Sequence, residues 1–244
     1  MFHFKHFSLY HENSALKIST DAVLLATVTP VDQVKTVLDI GCGCGVIAYS
    51  LAWKMMKNAV DQTKDMVYQK IIGIDIDADS IADALKSKEI FPKRKFQNIH
   101  FHQQSIQEFY KDYSENFDLI VSNPPFFVDA LKPNTLQKNI SKHNDTLPFE
   151  DLKNAVCQLL APEGRFFMIL PANESERFEQ ISQNQLFKFY QLLIQPTPSK
   201  PVNRIITGYR LLPANAVQTE QLCLRNFNGS FSEDYRYLTK DMYL

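Results

Sequence analysis

The segment from residue 36 to residue 52 constrains the fold more than any other part of the sequence. Thr36–Ile40 is an apolar run with β-branched residues, which predicts a buried strand. Gly41, Gly43 and Gly45 follow at alternate positions, and an apolar pattern with helical spacing comes directly after them. Glycines lack a Cβ atom, so they allow a tight turn and a close approach of the backbone to a ligand. Strand, glycine loop and helix in this order predict the first half of a nucleotide-binding βαβ unit.

Further along the chain, short buried strands alternate with helical patterns, which predicts an α/β fold. The predicted strands cover residues 71–76, 99–102, 117–122, 165–170, 187–193 and 203–212, and the predicted helices 77–88, 105–110, 148–160 and 174–184. Because the sequence contains no recognisable linker or repeat, we expect one domain over residues 1–244. Its core is expected to span residues 31–244, after a preface of residues 1–30 made of a hairpin and a helix. The segment after residue 212 shows no regular pattern, so we expect it to be irregular.

Within the preface, the first strand is expected to turn at residues 11–14, which carry turn-forming polar side chains. A returning strand is then predicted over residues 15–18. Ser19 or Thr20 is expected to cap a helix that begins near Asp21.

Composition indicates which class of protein the chain belongs to and the compartment in which it is expected. The chain has 244 residues, of which 45% are hydrophobic and 22% are charged, as in ordinary globular proteins. Four irregularly spaced cysteines do not suit a disulfide framework, and no apolar stretch is long enough to predict a membrane span. The N-terminus lacks the apolar run of a signal peptide, so we expect a cytoplasmic protein. A net charge of −1 argues against a protein that coats nucleic acid by charge alone.

The end of the predicted strand 117–122 carries the chemistry. Asn123, Pro124 and Pro125 stop the strand, because proline cannot donate a backbone hydrogen bond, and Phe126 follows at once. An amine on an aromatic ring is a weak nucleophile, since its lone pair is delocalised into the ring. If the Asn123 side-chain oxygen and the Pro124 carbonyl accept hydrogen bonds from the N–H groups of this amine, its lone pair can turn toward an electrophile while Phe126 stacks on the ring. The alternative is a rigid loop around a buried Phe126.

The spacing of the motifs favours a particular cofactor. A dinucleotide-binding loop needs a third glycine farther along than Gly45, which weakens a dehydrogenase interpretation. An acid before the loop, three glycines, an acid at the next strand end and Asn-Pro-Pro-Phe form the ordered series of an S-adenosylmethionine-dependent amino-methyltransferase. The predicted cofactor-binding residues of this series are Asp39, Gly41, Gly43, Gly45, Asp75 and Asn123. The two oxygens of Asp75 suit the two ribose hydroxyls, although a plain strand-to-helix turn with a solvent-facing Asp75 is the simpler alternative for the loop alone.

Weaker signals surround these motifs. His100 and His102 share one face of a predicted strand, but no third ligand accompanies them, so we predict no metal site. Lys132, Lys142 and His143 lie in a polar segment after the Asn-Pro-Pro-Phe motif. They form either a solvated loop or a contact with RNA phosphates.

Six segments carry a resemblance to a known family. They are Phe4–Phe7, Lys17–Leu25, Asp39–Gly45, Asn123–Phe127, Lys200–Arg204 and Tyr237–Leu244. In these segments the chain resembles class I methyltransferases of the Asn-Pro-Pro-Tyr/Phe type and, more narrowly, the bacterial tRNA1(Val) (adenine(37)-N6)-methyltransferases. The central motifs are shared with many methyltransferases, whereas the two ends are more specific.

The resemblance implies transfer of a methyl group from S-adenosylmethionine to the exocyclic N6 of adenosine 37, next to the anticodon of tRNA1(Val). It implies a Rossmann-like, seven-stranded, mostly parallel sheet with a reversed last strand and helices on both faces. It places Thr20 and Asp21 near the cofactor. With tRNA as the partner, Phe127, Lys200 and Arg204 join the candidate substrate contacts, and we expect a monomer.

One segment departs from the family pattern. Related enzymes place an acid after the third strand, where it meets the adenine amine of the cofactor. Gln103, Gln104 and Ser105 stand there in this chain. Ser105 or Gln104 is therefore expected to take over that contact.

Other acceptors share the same motif class. A glutamine amide presents the same two N–H donors as adenine, so a protein-(glutamine-N5) methyltransferase acting on release factors is the first alternative. A DNA adenine-N6 methyltransferase is another. A non-catalytic S-adenosylmethionine-binding protein would keep the loop and Asp75 but has no need of Asn123 or Phe126, and both are present.

Overall fold

The computed structural model describes residues 1–61, 69–92, 96–125 and 147–243. The strands are β1 (Phe2–His3), β2 (Ser8–Leu9), β3 (Thr36–Ile40), β4 (Lys70–Asp75), β5 (Ile99–Gln103), β6 (Phe117–Ser122), β7 (Leu160–Pro171), β8 (Phe187–Gln195), β9 (Arg204–Arg210) and β10 (Gln218–Cys223). The helices are α1 (Thr20–Val28), α2 (Val46–Asp61), α3 (Ala78–Glu89), α4 (Ile106–Asp112), α5 (Phe149–Leu159), α6 (Ala172–Ser182) and α7 (Glu233–Thr239). Among the described helices, none combines the length and the apolar composition that crossing a membrane would need.

A mostly parallel sheet with the strand order β10-β8-β9-β7-β6-β3-β4-β5 forms the centre of the molecule. β9, the seventh core strand in chain order, runs antiparallel to both of its neighbours. The predicted α/β class, with a mostly parallel sheet and a reversed last strand, is therefore confirmed. One detail was wrong, because β10 pairs in parallel with β8 and adds an eighth strand where an irregular segment was expected.

Alternating side chains of the strands face two apolar layers. Val37 points into the layer that packs against α1, α2 and α3, and its neighbour Leu38 points into the layer that packs against α4, α5 and α6. Helices therefore cover both faces of the sheet, as predicted. The parallel strands β3, β4 and β6 end at one edge of the sheet, which we call the carboxyl edge.

The N-terminal hairpin is shorter than predicted. The returning strand is Ser8–Leu9, which pairs with Phe2–His3, so the prediction of a strand over residues 15–18 was wrong. Polar contacts with α3 hold the following segment instead, since Asp83 accepts hydrogen bonds from the backbone nitrogens of Asn13 and Ser14. Ser19 rather than Thr20 caps α1, and its side chain accepts a hydrogen bond from the Ala22 nitrogen at 3.2 Å.

Candidate active site

The glycine loop links β3 to α2 at the carboxyl edge. Gly41, Gly43 and Gly45 all adopt positive φ angles of 70°, 53° and 81°, a region that side chains other than glycine rarely enter. A Cβ atom on Gly45 would lie 2.6 Å from the ring of Phe101, so internal packing requires glycine there. A Cβ atom on Gly41 or Gly43 would meet nothing within 4 Å. The first two glycines therefore face open space, into which a ligand can approach the backbone.

Asp75 ends β4 and contacts the loop directly. Its Oδ2 accepts a hydrogen bond from the Gly43 nitrogen at 2.8 Å, and its Oδ1 accepts one from the Asp77 nitrogen at 2.9 Å. Burial raises the pKa of Asp75 above its ordinary value, and these two backbone donors oppose the rise. Each carboxylate oxygen keeps a lone pair for one further donor, which suits a pair of neighbouring hydroxyl groups. Asp75 is thus bound to the glycine loop and is not a solvent-facing side chain.

Asp39 lies fully buried in β3, beneath the loop. Its Oδ2 accepts a hydrogen bond from the Ala48 nitrogen at 3.1 Å, whereas its Oδ1 has no partner among the described residues. Burial raises the pKa of Asp39 to about 8; the bond from Ala48 opposes this rise, and the nearby Asp75 adds to it. Two acids beneath one loop form an environment that a cationic ligand would stabilise.

The Asn-Pro-Pro motif leaves the sheet next to the glycine loop. The Ser122 hydroxyl donates a hydrogen bond to the Ile40 carbonyl at 2.9 Å, so the ends of β6 and β3 are joined. Pro124 is buried and Asn123 is half-buried. Within the described part of the chain, no hydrogen bond occupies the Asn123 side chain. Its amide is therefore available at the edge where the loop and Asp75 meet.

Several predicted residues lie outside the described residues. They are Phe126, Phe127, Lys132, Lys142 and His143. Their assigned roles stay predictions.

Asp21 and Arg204 form an ion pair that the sequence did not suggest. The Arg204 Nε donates a hydrogen bond to Asp21 Oδ2 at 2.8 Å. Arg204 begins β9 opposite Pro171, the last residue of β7, so the pair lies at the carboxyl edge. A residue expected near the cofactor and one expected near tRNA are thus direct partners. Lys200 is exposed in the preceding loop, and Thr20 is exposed at the start of α1.

Ser105 has a structural task at the start of α4. It forms a capping box with Glu108, in which the Ser105 hydroxyl accepts from the Glu108 nitrogen at 3.3 Å and lies 2.9 Å from Glu108 Oε2. The Gln104 nitrogen donates to the Asp75 carbonyl at 2.9 Å, which keeps this turn beside the site. Glu108 was not among the predicted residues, although a Ser followed three residues later by a Glu is the signature of a capping box. An acid, Glu108, therefore stands in this turn, three residues after Ser105.

Comparison with solved structures defines the class of this fold. A predicted O-methyltransferase from Agrobacterium tumefaciens superposes with a TM-score of 0.67 at 14% identity, over 91% of this chain and 96% of that one. The N-methyltransferase NodS from Bradyrhizobium japonicum, solved with S-adenosyl-L-homocysteine, gives a TM-score of 0.52 at 17% identity, over 77% and 83% of the two chains. A family model described as a methyltransferase domain matches residues 32–238. Fold and site together define an S-adenosylmethionine-dependent class I methyltransferase.

Curated relatives narrow the class. The chain is 33% identical to a tRNA1(Val) (adenine(37)-N6)-methyltransferase from Parabacteroides distasonis, over 100% of this chain and 97% of the relative. It is also 33% identical to the enzyme of the same name from Pseudoalteromonas translucida, over 100% and 98%. The chain belongs to the tRNA1(Val) (adenine(37)-N6)-methyltransferase family.

The described residues fit S-adenosylmethionine. Gly41 and Gly43 leave open space above the loop, and Asp75 keeps two acceptors for a ribose. The unpaired Oδ1 of Asp39 lies beneath the same loop, where the positive charge of the cofactor would favour the ionised carboxylate.

Proposed function

We propose that this enzyme methylates the exocyclic N6 of adenosine 37 in tRNA1(Val). The observation that carries the proposal is the position of the Asn123 amide. Asn123 follows Ser122, whose hydroxyl joins the end of β6 to the end of β3, where the glycine loop begins. The Asn123 side chain makes no hydrogen bond with other described residues. The names of the full-length relatives support the choice of tRNA over other acceptors. N6-methyladenosine is then the product, and the cytoplasm is the compartment in which the substrate is met.

In this mechanism the chain aligns two reactants and provides no strong base. The adenine amine releases its proton to solvent only after its nitrogen has bonded to the methyl group and the methyl–sulfur bond has broken. Bound S-adenosylmethionine supplies an electrophilic methyl group on a sulfonium. The Asn123 side-chain oxygen and the Pro124 carbonyl accept hydrogen bonds from the two N–H groups of the adenine amine. These bonds raise the electron density on the nitrogen and turn its lone pair toward the methyl group. Phe126 is proposed to stack on the base, and Pro125 to hold the turn rigid.

The remaining residues are proposed to hold the two substrates. Asp75 binds the ribose hydroxyls, and Asp39 with the three glycines supports the methionine end. The turn at Gln104 and Ser105 lies where the adenine of the cofactor is expected. The remaining tRNA contacts are proposed to come from Phe127, Lys132, Lys142, His143 and Lys200. We further propose that residues 1–244 form one domain that acts as a monomer without a metal.

Methyl transfer from labelled S-adenosylmethionine to bulk tRNA, followed by nucleoside analysis, tests the proposal. Asn123→Ala should lower kcat by at least about 100-fold, the cost of removing one oriented acceptor or donor in other active sites, while the Kd for the cofactor stays within about two-fold. Asn116→Ala is the matched control, because Asn116 lies at the opposite end of β6 and its amide donates to the Gln158 and Leu160 carbonyls.

DNA and a release-factor protein serve as parallel acceptors. Label in N6-methyladenosine of tRNA, lost in Asn123→Ala and kept in Asn116→Ala, is the expected result. Label in the protein or in DNA, with no label in tRNA, would mean that this other acceptor and not tRNA is the substrate. Equal loss of turnover and of cofactor binding in Asn123→Ala would contradict the role given to its amide.

A further inference from the structure

A small turn beyond β10 presents an aromatic ring to solvent. Residues 225–231, which we call the Phe227 turn, are closed by an antiparallel bridge between Arg225 and Phe231. The Asn226 nitrogen donates to the Ser230 carbonyl at 2.8 Å, and the Gly229 nitrogen donates to the Asn226 carbonyl at 3.0 Å. Phe227 lies at the tip with 83% of its surface exposed. No other large apolar side chain among the described residues is as exposed.

Hydrogen bonds hold the backbone of the Phe227 turn in a defined conformation. Gly229 has a φ angle of 82°, and Asn228 Oδ1 accepts hydrogen bonds from the nitrogen and hydroxyl of Ser230 at 3.0 and 2.7 Å. Arg225 Nη1 donates to the Gly229 carbonyl at 2.8 Å, and its guanidinium lies 4.2 Å from the centre of the Phe231 ring. Exposing a phenyl ring gives up the stabilisation that its burial would provide. An ordered turn around an exposed ring is therefore a candidate binding surface.

The turn lies at the same edge as the candidate active site. The Leu224 nitrogen donates to the Gln195 carbonyl at 2.9 Å and the Arg225 nitrogen to the Pro196 carbonyl at 3.1 Å, so the turn starts where β8 ends. β8 and β10 run parallel to β6, which places these ends on the carboxyl edge. Four strand spacings separate β10 from β6, or about 19 Å along the sheet. A few nucleotides of single-stranded RNA cover that distance.

We infer that Phe227 stacks on an unpaired base of the RNA substrate, outside the adenosine that is methylated. The inference rests on the proposed tRNA function. A single ring between Asn226 and Asn228 is too small an apolar area for a stable protein interface, but it matches one face of a nucleobase. Ser230 occupies Asn226 Nδ2 and Asn228 Oδ1, whereas Asn226 Oδ1 and Asn228 Nδ2 make no hydrogen bond with described residues and can meet a base edge or sugar. Lys200 is exposed in the neighbouring loop, where it can meet the phosphate backbone. The acidic side chains nearby, Glu233 and Asp234, open α7 and stabilise its N-terminus.

The test compares three variants of the full chain. Phe227→Ala removes the ring, Phe227→Trp keeps a ring and adds a fluorophore, and Leu212→Ala removes another exposed apolar side chain. Leu212 is 54% exposed and follows the end of β9, at the opposite edge of the sheet, so it is the matched control. The measurements are the Kd for tRNA, the Kd for S-adenosylmethionine, thermal unfolding and methyl transfer. Because the chain contains one other tryptophan, the wild type sets the fluorescence baseline.

Loss of one base–aromatic stack is expected to raise the Kd for tRNA about ten-fold in Phe227→Ala. The cofactor Kd and the unfolding temperature should stay at wild-type values in that variant. Phe227→Trp should keep tRNA affinity and show fluorescence quenching on tRNA addition, and Leu212→Ala should behave as wild type. An unchanged tRNA Kd in Phe227→Ala, while the wild type methylates tRNA, would overturn the inference. A wild type that neither binds nor methylates tRNA would instead overturn the proposed function.

Discussion

Asp39 shows what burial does to one acidic residue. An aspartate in an unfolded chain titrates near pH 3.8, whereas burial beneath the glycine loop raises the pKa of Asp39 to about 8 in the folded protein. Between these values the folded state holds a proton that the unfolded state has released. The contribution of Asp39 to the free energy of unfolding is therefore present below about pH 4 and is lost as pH rises toward 8.

Asp39→Asn should remove this titration. In the absence of cofactor, the unfolding temperature of the variant minus that of the wild type should rise by a few degrees from pH 5 to pH 8. Only the wild type loses the contribution of a protonated Asp39 over this range. Cofactor binding at pH 7 should release protons from the wild type and fewer from the variant, because a nearby positive charge favours the carboxylate. Thermal unfolding across pH and calorimetry in two buffers of different ionisation enthalpy measure both effects. A difference in unfolding temperature that does not vary with pH would contradict the assignment.

At the scale of elements, the Asp21–Arg204 pair joins the first turn of α1 to the first residue of β9. The side chains are 24% and 29% exposed, so solvent screens the pair only in part. If Asp21 contacts the cofactor, as the family resemblance implies, Arg204 can orient its carboxylate without touching RNA itself. The expectation that Arg204 contacts tRNA stays a prediction, and the ion pair adds a second role to be tested.

A double-mutant cycle on this pair separates the two roles. Asp21→Ala and Arg204→Ala should each raise the KM for S-adenosylmethionine about two- to five-fold, and the double variant should be no worse than the poorer single variant. Lys200→Ala should change only the KM for tRNA. Arg210→Ala, at the far end of β9, is the control and should change neither. Additive effects, or an Arg204→Ala effect confined to the KM for tRNA, would mean that Arg204 contacts tRNA and does not orient Asp21.

At the scale of the whole molecule, Asp83 holds the N-terminal segment against α3. This buried carboxylate accepts hydrogen bonds from the Asn13 and Ser14 nitrogens at 2.8 and 2.9 Å and from the Ser14 hydroxyl at 2.9 Å. Burial raises the pKa of Asp83, but these bonds outweigh burial and lower it below its ordinary value. The same segment continues to Ala15, whose nitrogen donates to Asp77 beside the cofactor site at 3.3 Å.

Asp83→Ala should lower the free energy of unfolding by about 3 kcal/mol at pH 7, because several donors lose a charged acceptor at once. The carboxylate stabilises the fold above the ordinary Asp pKa, and this stabilisation is lost as pH falls through its lowered value. The penalty in Asp83→Ala should therefore shrink when urea unfolding is repeated well below about pH 4. Asp79→Ala, an exposed acid on the same helix, should stay within about 0.5 kcal/mol of wild type. Equal losses in the two variants would mean that the anchoring contacts contribute little.

Most of the sheet and the centre of the site could be predicted because their signals are local. Each apolar run for a core strand in β3–β9 appears as a strand, and the glycine loop appears between β3 and α2. The missed strand, β10, contains Gln218, Thr219, Glu220 and Gln221, all of them exposed. An edge strand with so little burial has no apolar pattern to detect. The prediction of a strand over residues 15–18 failed because a distant helix holds the start of this segment, where the Ala15 nitrogen donates to Asp77, the N-cap of α3.

The sequence by itself determined the backbone conformation of the glycine loop and the end of β6, because both follow from single residue types. Glycines allow the positive φ angles of the loop, and β6 ends at Ser122, just before Asn123 and the two prolines. Only the tertiary structure decided which side chains meet there. Asp21 and Arg204 are 183 positions apart, and Asn13 and Asp83 are 70 apart. Such partners depend on how the sheet and helices pack, and the raised pKa of Asp39 depends on burial that packing alone creates.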